Sequence, residues 1–577
     1  MNEGKKTTKV FAILPIVLVA VLVAAFMQSN TARRGAWTYN DGVLTHRFSD
    51  WVLTVSLHSN ASLTVTGVAA RPSAPSPLPL TDTVKGGCRI TGIGDVAFRD
   101  CRNLTSVKLP ASVVRIGDGA FCGCTRLANV KMSANVTHIG ERAFSGCIDL
   151  ASVTIPVGVT NIGKYAFYGG ESLTGVTIPA GVTSIGELTF FDCSRLTDVT
   201  IPDSVTSIGE EAFGECLRLT GIRIPDGVTH IGQRAFARCP RLTGMIVPDS
   251  VTNIGPRAFV GCSGLTNVTI SAGITDIGEG MFLGCKRLAG ITIPDNVSNI
   301  GDYAFSGCAG LTSILVPDGV TDIGREAFSG CVGLTSMTIP GNVAGIGLEA
   351  FRGCNGLTNV TISAGVNSIG KRAFANNENL TTVTIPNGMI SIGEEAFYAC
   401  RRMANVMIPD SVTHIGRGTF SGCIGLTNVT FLSGVTDIGD EMFCKCSNLA
   451  DVAIPASVTR IGRKAFSGCT ALTSVTIPGS VIRIGESAFS ECSGLTNVTI
   501  LAGVTNIGNE MFCKCSSLTN VTIPDSVTRI GSGAFSGCTA LANVMIPMGV
   551  SRIDKWTFPV STRVIKRETE PENTVQE

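Results

Sequence analysis

Charge is scarce in this chain. Charged residues make up 15% of the 577 residues, against an average near 25% for soluble proteins. The 45 Lys and Arg balance 44 Asp and Glu, for a net charge of +1. A chain without a basic excess has no field to draw in a polyanion, so nucleic acid is excluded as a partner class. Histidine is rarer still, at five residues. His138, His230 and His414 share one position of a repeat but stand four and eight repeats apart. At ~4.8 Å per stacked coil, four repeats separate two of them by ~19 Å, too far for a common metal. No G-x-S-x-G, phosphate-binding loop or H-E-x-x-H occurs, which removes the usual nucleophile, nucleotide and zinc-protease signatures. Carboxylates such as Glu210, Glu211, Glu394 and Glu395 sit among cations such as Lys371 and Arg372. That pattern describes a solvated face and not a paired-carboxylate cleft, which needs two groups fixed ~5–9 Å apart. No catalytic residue, cofactor or metal is therefore assigned, and an enzyme is not expected.

Long apolar runs are also absent, with one exception. Lys5, Lys6 and Lys9 precede an uncharged run from Val10 to Met27. A basic start followed by an apolar core is the layout of a secretory signal, and Val23 and Ala25 suit the −3 and −1 positions of a cleavage site. The run is also long enough to serve as an uncleaved anchor. Either alternative sends the rest of the chain out of the cytoplasm, and a membrane is a partner only through this segment if it stays uncleaved.

What the chain has in abundance is a repeat. Every twenty-third residue from Phe98 to Phe558 is phenylalanine, 21 in all, with no slip. Self-similarity at this period marks a solenoid, whose units cannot bury their apolar edges alone. The unit from Leu472 reads LTSVTIPGSVIRIGESAFSECSG. In the unit from Leu104, the residues Leu104, Val107, Leu109, Val113, Ile116, Ala120, Phe121 and Cys124 are expected to point inward. Val107 and Leu109 alternate as in a strand, which Pro110 ends. Val113–Ile116 is a second extended segment, and the stretch around Ala120–Phe121 returns as a tight helical or irregular turn.

The L-x-x-V-x-I-P and I-G-x-x-A-F-x-x-C pattern, repeated some twenty times across about residues 85–563, resembles the BspA-type leucine-rich repeat, also called the Treponema pallidum type. The resemblance implies a right-handed arc of about 20 coils of 23 residues with a parallel β-sheet on the concave face, α/β to mostly β in class. It further implies a surface protein used in adhesion, with a protein or glycan of the extracellular matrix or of another cell surface as partner. The motif names scaffold residues only and transfers no binding residues. Some units depart from it. Gly170 and Asn377 replace the cysteine, and Ser133, Ser271, Ser363, Leu432 and Leu501 replace the proline. Residues 426–494 and 495–563 are close copies, both with an MFCKC stretch, as expected of a chain that grows by duplication.

Four regions follow. Residues 1–35 are the signal or anchor. Residues 36–84 are a β-rich cap with a Pro/Ser linker, read from the alternation in WVLTVSLHSNASLTVTGV. Residues 85–563 are the solenoid, and 564–577 a charged tail expected to be disordered. Eighteen cysteines sit three residues after the ladder phenylalanines. Equivalent positions in stacked coils point the same way, so their Cβ atoms stay near the coil spacing, whereas a disulfide wants about 3.8 Å. Buried free thiols are the favoured reading. Cys122, Cys444 and Cys513 form C-x-C pairs with ladder cysteines and should face outward.

The candidate ligand face is the outward side of the first strand. One column is threonine in 12 of 20 units, including Thr269, Thr292, Thr361, Thr430, Thr499 and Thr522. Its neighbour includes Asn267, Asn359, Asn428, Asn497 and Asn520. Threonine favours strands and stacks with itself for structural reasons, so the column reads either as scaffold or as a long uncharged hydrogen-bonding face. Two functional readings stand beside each other: an interaction or adhesion protein, and a structural surface-layer or spacer protein that self-associates.

Overall fold

The structure is a computed structural model that describes residues 37–567, apart from 41–42, 49–50, 59–61, 71–73, 75, 79, 82–88 and 433. The segment 1–35 lies outside the described residues. The chain divides into two compact units, one ending at Leu265 and one beginning at Thr266.

The first unit opens with strands β1 (Trp37–Asn40), β2 (Val43–Phe48), β3 (Trp51–Leu57) and β4 (Ser62–Ala70), joined as an antiparallel meander. Alternation decides which face of β3 is buried: Trp51, Leu53 and Val55 point inward while Ser56 is exposed. Trp51 meets the ring of Phe98 edge-on at 6.5 Å, and its indole N–H donates to the Pro77 carbonyl at 3.1 Å. A fifth strand, β5 (Ser76–Leu78), and a sixth, β6 (Arg89–Ile93), follow. β4 pairs in parallel with β6. Through this strand the meander becomes the first rung of a parallel ladder that continues through Arg115–Ile116, His138–Ile139 and Asn161–Ile162. A second parallel ladder runs through β5, β7 (Leu104–Lys108), Asn129–Lys131 and Ser152–Val153.

The second unit repeats the two ladders. One joins the two-residue strands from Asp276–Ile277 to His414–Ile415 in a single seven-stranded sheet. The other is broken into short sheets such as Ser336–Ile339, Asn359–Ile362 and Thr382–Thr384. The coils are thus stacked turns of a β-solenoid, and every regular element among the described residues is a strand. The stretch 564–566, expected within the tail, belongs instead to the strand Arg563–Lys566, which pairs with Asn543–Ile546.

On the third side of each coil the turn is the irregular and not the helical one of the two expected forms. Around Phe121 the amides of Gly119, Phe121 and Gly123 donate to Glu141, Ala143 and Ser145 of the next coil at 2.6–2.8 Å. The amides between them, of Ala120, Cys122 and Cys124, close turns within the coil at 3.0–3.3 Å. Gly119 and Gly123 have φ of 59° and 73°. The pattern recurs along both units: the residues two before and two after the phenylalanine are left-handed, whatever their identity, as at Arg142, Glu215, Arg372, Ala399 and Lys445. Placing a left-handed residue on either side turns alternate N–H groups the same way, so all three reach the next coil. Two glycine columns follow from two different causes. Glycine before the cysteine relieves the positive φ. Glycine after the isoleucine lets backbones touch: a Cβ on Gly117 would lie 2.6 Å from the Asp95 nitrogen.

Inside the coils the phenylalanine rings form stacks. In the first unit the rings from Phe98 to Phe259 lie 5.1–5.7 Å apart and within 8° of parallel. In the second unit those from Phe282 to Phe558 keep 5.1–5.6 Å. A ring spacing above the ~4.8 Å coil rise describes offset stacking, which the ring quadrupoles prefer to a face-to-face sandwich.

The left-handed positions make a stability prediction. An L-residue there costs roughly 1–2 kcal/mol, partly offset by the extra unfolded-state entropy that glycine brings. Ala399 has φ 58° and its counterpart one coil on is Gly422. Ala399→Gly is expected to raise stability by about 0.5–1 kcal/mol in chemical denaturation, whereas glycine in an ordinary turn position would lower it.

Candidate ligand-binding face

All eleven candidate residues fall in the second unit, and the parallel register decides which of them meet. Asn267 pairs with Gly290 and Thr269 with Thr292. Asn497 pairs with Asn520 and Thr499 with Thr522. Asn359 and Thr361 lie between Ser336–Thr338 and Thr382–Thr384, and Asn428 and Thr430 lie beside Asn405 and Met407. They therefore form four separate clusters. Each asparagine is exposed, as is each threonine except Thr499, which is half-buried.

Three threonine columns run along the coils, and the structure separates them by what their hydroxyls do. The column after the ladder leucine donates to the same position one coil back, as Thr335 does to Thr312 at 3.4 Å and Thr381 to Thr358 at 2.8 Å. The column before the two-residue strands does likewise, as Thr459 does to Thr436 at 3.3 Å. Among the described residues, the hydroxyls of Thr269, Thr292, Thr361, Thr430, Thr499 and Thr522 have no partner within the protein. A strand residue that points straight out of a sheet has no neighbouring carbonyl in reach. This is the column singled out from the sequence, and its hydroxyls are the ones left for an external group. The asparagines are less free: Asn359 accepts from the Thr382 hydroxyl at 2.9 Å, and Asn520 donates to Thr519 at 3.3 Å.

The exceptions in this column are candidates that the threonine pattern obscures. Leu315 stands where threonine is usual and is 77% exposed. Residues 311–316 form no strand, and a groove of about 610 Å³ opens there, lined by Thr269, Thr292, Leu315 and Thr338 with Gly290 and Ser336. Met407 and Met545 are similarly placed and exposed. The sequence signal for all three is the break in an otherwise threonine column.

Mixed charges on the turn side are in fact paired in register. Lys371 meets Glu394 at 2.7 Å, Arg372 meets Glu395 at 2.5 Å, and in the first unit Arg238 meets Glu215 at 2.8 Å. Each pair is one period apart and largely exposed, worth at most a few tenths of a kcal/mol to about 1 kcal/mol. Among the described residues no group of three or more His, Cys, Asp or Glu side chains is placed to hold a metal. His138 has its pKa lowered by burial and by the neighbouring Arg115 cation.

The described cysteines are free thiols. Within each unit a ladder thiol whose preceding coil carries a ladder phenylalanine has a defined acceptor, as Cys124 donates to the Phe98 carbonyl at 3.0 Å and Cys354 to Phe328 at 3.0 Å. That carbonyl belongs to the coil before, so the thiol ties two coils together. Asn377 shows why it can replace cysteine, since its amide donates to Phe351 at 2.9 Å and to Phe374 at 2.8 Å. Burial pushes the thiols of Cys193 and Cys308 up to about 12. Cys122, Cys444 and Cys513 are half-buried.

Repeated strands of leucine, valine and isoleucine, stacked in parallel at a 23-residue period, define a leucine-rich-repeat solenoid. The model of the BspA type leucine rich repeat region matches residues 91–220, 206–335, 321–450 and 436–565, and the chain belongs to that family. None of the curated proteins matches it. Among solved structures it is similar to a leucine-rich repeat protein from Bacteroides ovatus, at 23% identity over 89% of this chain and 98% of that one, with a TM-score of 0.35. A leucine rich cell surface protein from Faecalibacterium prausnitzii matches at 25% identity over 89% and 94%, with a TM-score of 0.30. The T. pallidum leucine rich repeat protein matches at 28% identity over 37% and 87%, with a TM-score of 0.30. Among the described residues no helix is long and apolar enough to cross a membrane, and Val10–Met27 lies outside them.

Because the thiolate is the reactive form, a maleimide at pH 8 should modify Cys122, Cys444 and Cys513 in the native protein. The ladder thiols should react only on unfolding. Peptide mapping that found Cys193 or Cys308 labelled as fast as Cys444 would contradict the ladder.

Proposed function

We propose that this chain is a non-enzymatic, extracytoplasmic interaction protein, secreted or held at the cell surface, that binds a protein or glycan ligand on the strand face of its second unit. The observation that carries this reading is the threonine column whose hydroxyls have no internal partner, set around the exposed Leu315. An uncharged strip of free hydroxyls beside an apolar anchor suits directional hydrogen bonding with a central desolvated contact. The basic-then-apolar N-terminus supports export, and a long repeated surface suits valency more than one deep pocket.

The test is a screen of the purified chain on immobilised matrix proteins, glycans and whole cells. Saturable binding is expected, and a Thr269→Glu, Thr292→Glu, Thr338→Glu set should weaken it at least about tenfold, because each carboxylate would be desolvated against the ligand. Concentration-dependent self-association without any foreign ligand would favour a structural layer protein instead.

A further inference from the structure

The four tyrosines of the repeats, Tyr165, Tyr168, Tyr303 and Tyr398, all stand on the turn side, two before or one after a ladder phenylalanine. Three of them are engaged. Arg142 lies 4.3 Å over the Tyr165 ring, whose hydroxyl donates to Glu187 at 2.8 Å. Tyr168 stacks on Phe191 at 5.4 Å, and Arg325 lies 5.6 Å from the Tyr303 ring. Tyr398 is 40% exposed and has no such partner among the described residues. Its counterparts one coil before and after are the small residues Ala375 and Ser421, so no ring stacks on it from its own column.

Tyr398 stands in a groove of about 540 Å³ on the turn side of the second unit. Arg352, Arg372, Lys445 and Lys464 line it together with Glu395 and Glu441. The carboxylates are already neutralised, Glu395 by Arg372 at 2.5 Å and Glu441 by Arg417 at 2.9 Å. Arg352 is held by Glu349 at 2.9 Å. Lys445 and Lys464 have no carboxylate partner among the described residues. Their backbones are fixed in the left-handed region at φ 62° and 53°, and their amides are tied to the next coil at 2.7 and 3.0 Å. Two uncompensated ammonium groups on adjacent coils therefore project from rigid positions. Lys445 lies two coils from Tyr398, ~9.6 Å along the stack.

We propose that this groove binds an acidic glycan, with the C–H face of one sugar ring on Tyr398 and the carboxylate or sulfate of a sugar further along the chain between Lys445 and Lys464. An exposed ring without a cation over it offers its face to polarised C–H groups. Ammoniums on two adjacent coils attract an anion, and the rigid backbone lowers the cost of ordering them. An acidic peptide would use the lysines but has less need of an open aromatic face. The groove is separate from the strand face, so the two readings stand or fall independently.

The test measures binding of the full chain to four probes: a heparin oligosaccharide, an oligogalacturonate, a neutral dextran oligosaccharide and a poly-glutamate peptide. Heparin or oligogalacturonate should bind and dextran should not; comparison of the first two distinguishes sulfate from carboxylate recognition. Tyr398→Ser should weaken the acidic oligosaccharide about fivefold, with an unchanged circular dichroism spectrum, since serine is the residue at 421. Lys445→Gln with Lys464→Gln should weaken it about tenfold. Absence of binding to both acidic oligosaccharides, or binding that neither variant alters, would overturn the proposal. Poly-glutamate binding as tight as the oligosaccharides and indifferent to Tyr398→Ser would also overturn it, in favour of an acidic protein partner.

Discussion

Within each unit, successive coils hydrogen-bond their backbones on three sides, and this requirement fixes the 23-residue period. Two sides are ordinary parallel ladders, such as Asn359–Ile362 on Ser336–Ile339 and Ser391–Ile392 on Ser368–Ile369. The third is the turn side, where left-handed residues flank each phenylalanine and send alternate amides across. An extra or missing residue on any side would leave buried backbone groups unpaired, at about 1–3 kcal/mol each. The side-chain columns follow from this register. Phenylalanine rings stack because their backbones do, and ladder thiols such as Cys124 and Cys354 reach a phenylalanine carbonyl one coil back because that carbonyl lies in the same place in their coils.

Much of this was legible in the sequence. The phenylalanine period marked the coil, the alternation around Val107 marked the first strand, and Pro110 marked its end. The turn side was not legible in the same way. Glycine before cysteine, as in Gly123 or Gly422, is a residue that suits a positive φ, but Arg142, Glu395 or Lys464 at the other left-handed position carry no such mark, because the conformation there is imposed by neighbouring coils. The three threonine columns look alike as letters. Only the direction of each hydroxyl relative to the preceding coil's carbonyl separates the self-bonded Thr381 from the free Thr361. Likewise Asn377 reads as a lapse from cysteine until the Phe351 carbonyl shows that both residues supply a donor.

The surface is accordingly divided. Where side chains lie along the coil boundary, they serve the stack: threonine hydroxyls reach back one coil and ion pairs such as Lys371 with Glu394 bridge it. Where side chains point away, they have nothing to hold. Thr269, Thr292 and Leu315 on one side and Tyr398, Lys445 and Lys464 on another belong to this second group. A scaffold whose stability comes from its interior columns leaves such positions open to change, and repeated copies such as 426–494 and 495–563 multiply them without altering the core.

Hydrogen exchange across one turn segment tests the three-sided account most directly. Glu395, Phe397 and Ala399 donate to Arg417, Thr419 and Ser421 at 2.8–2.9 Å, and Ala396, Tyr398 and Cys400 close turns within the coil at 3.0–3.3 Å. A peptide spanning Glu395–Cys400 should therefore exchange as slowly as the strand Asn405–Ile408 despite its exposed side chains. Exchange of that peptide at the rate of an unstructured loop, with the strand still protected, would mean that the coils are held on two sides only.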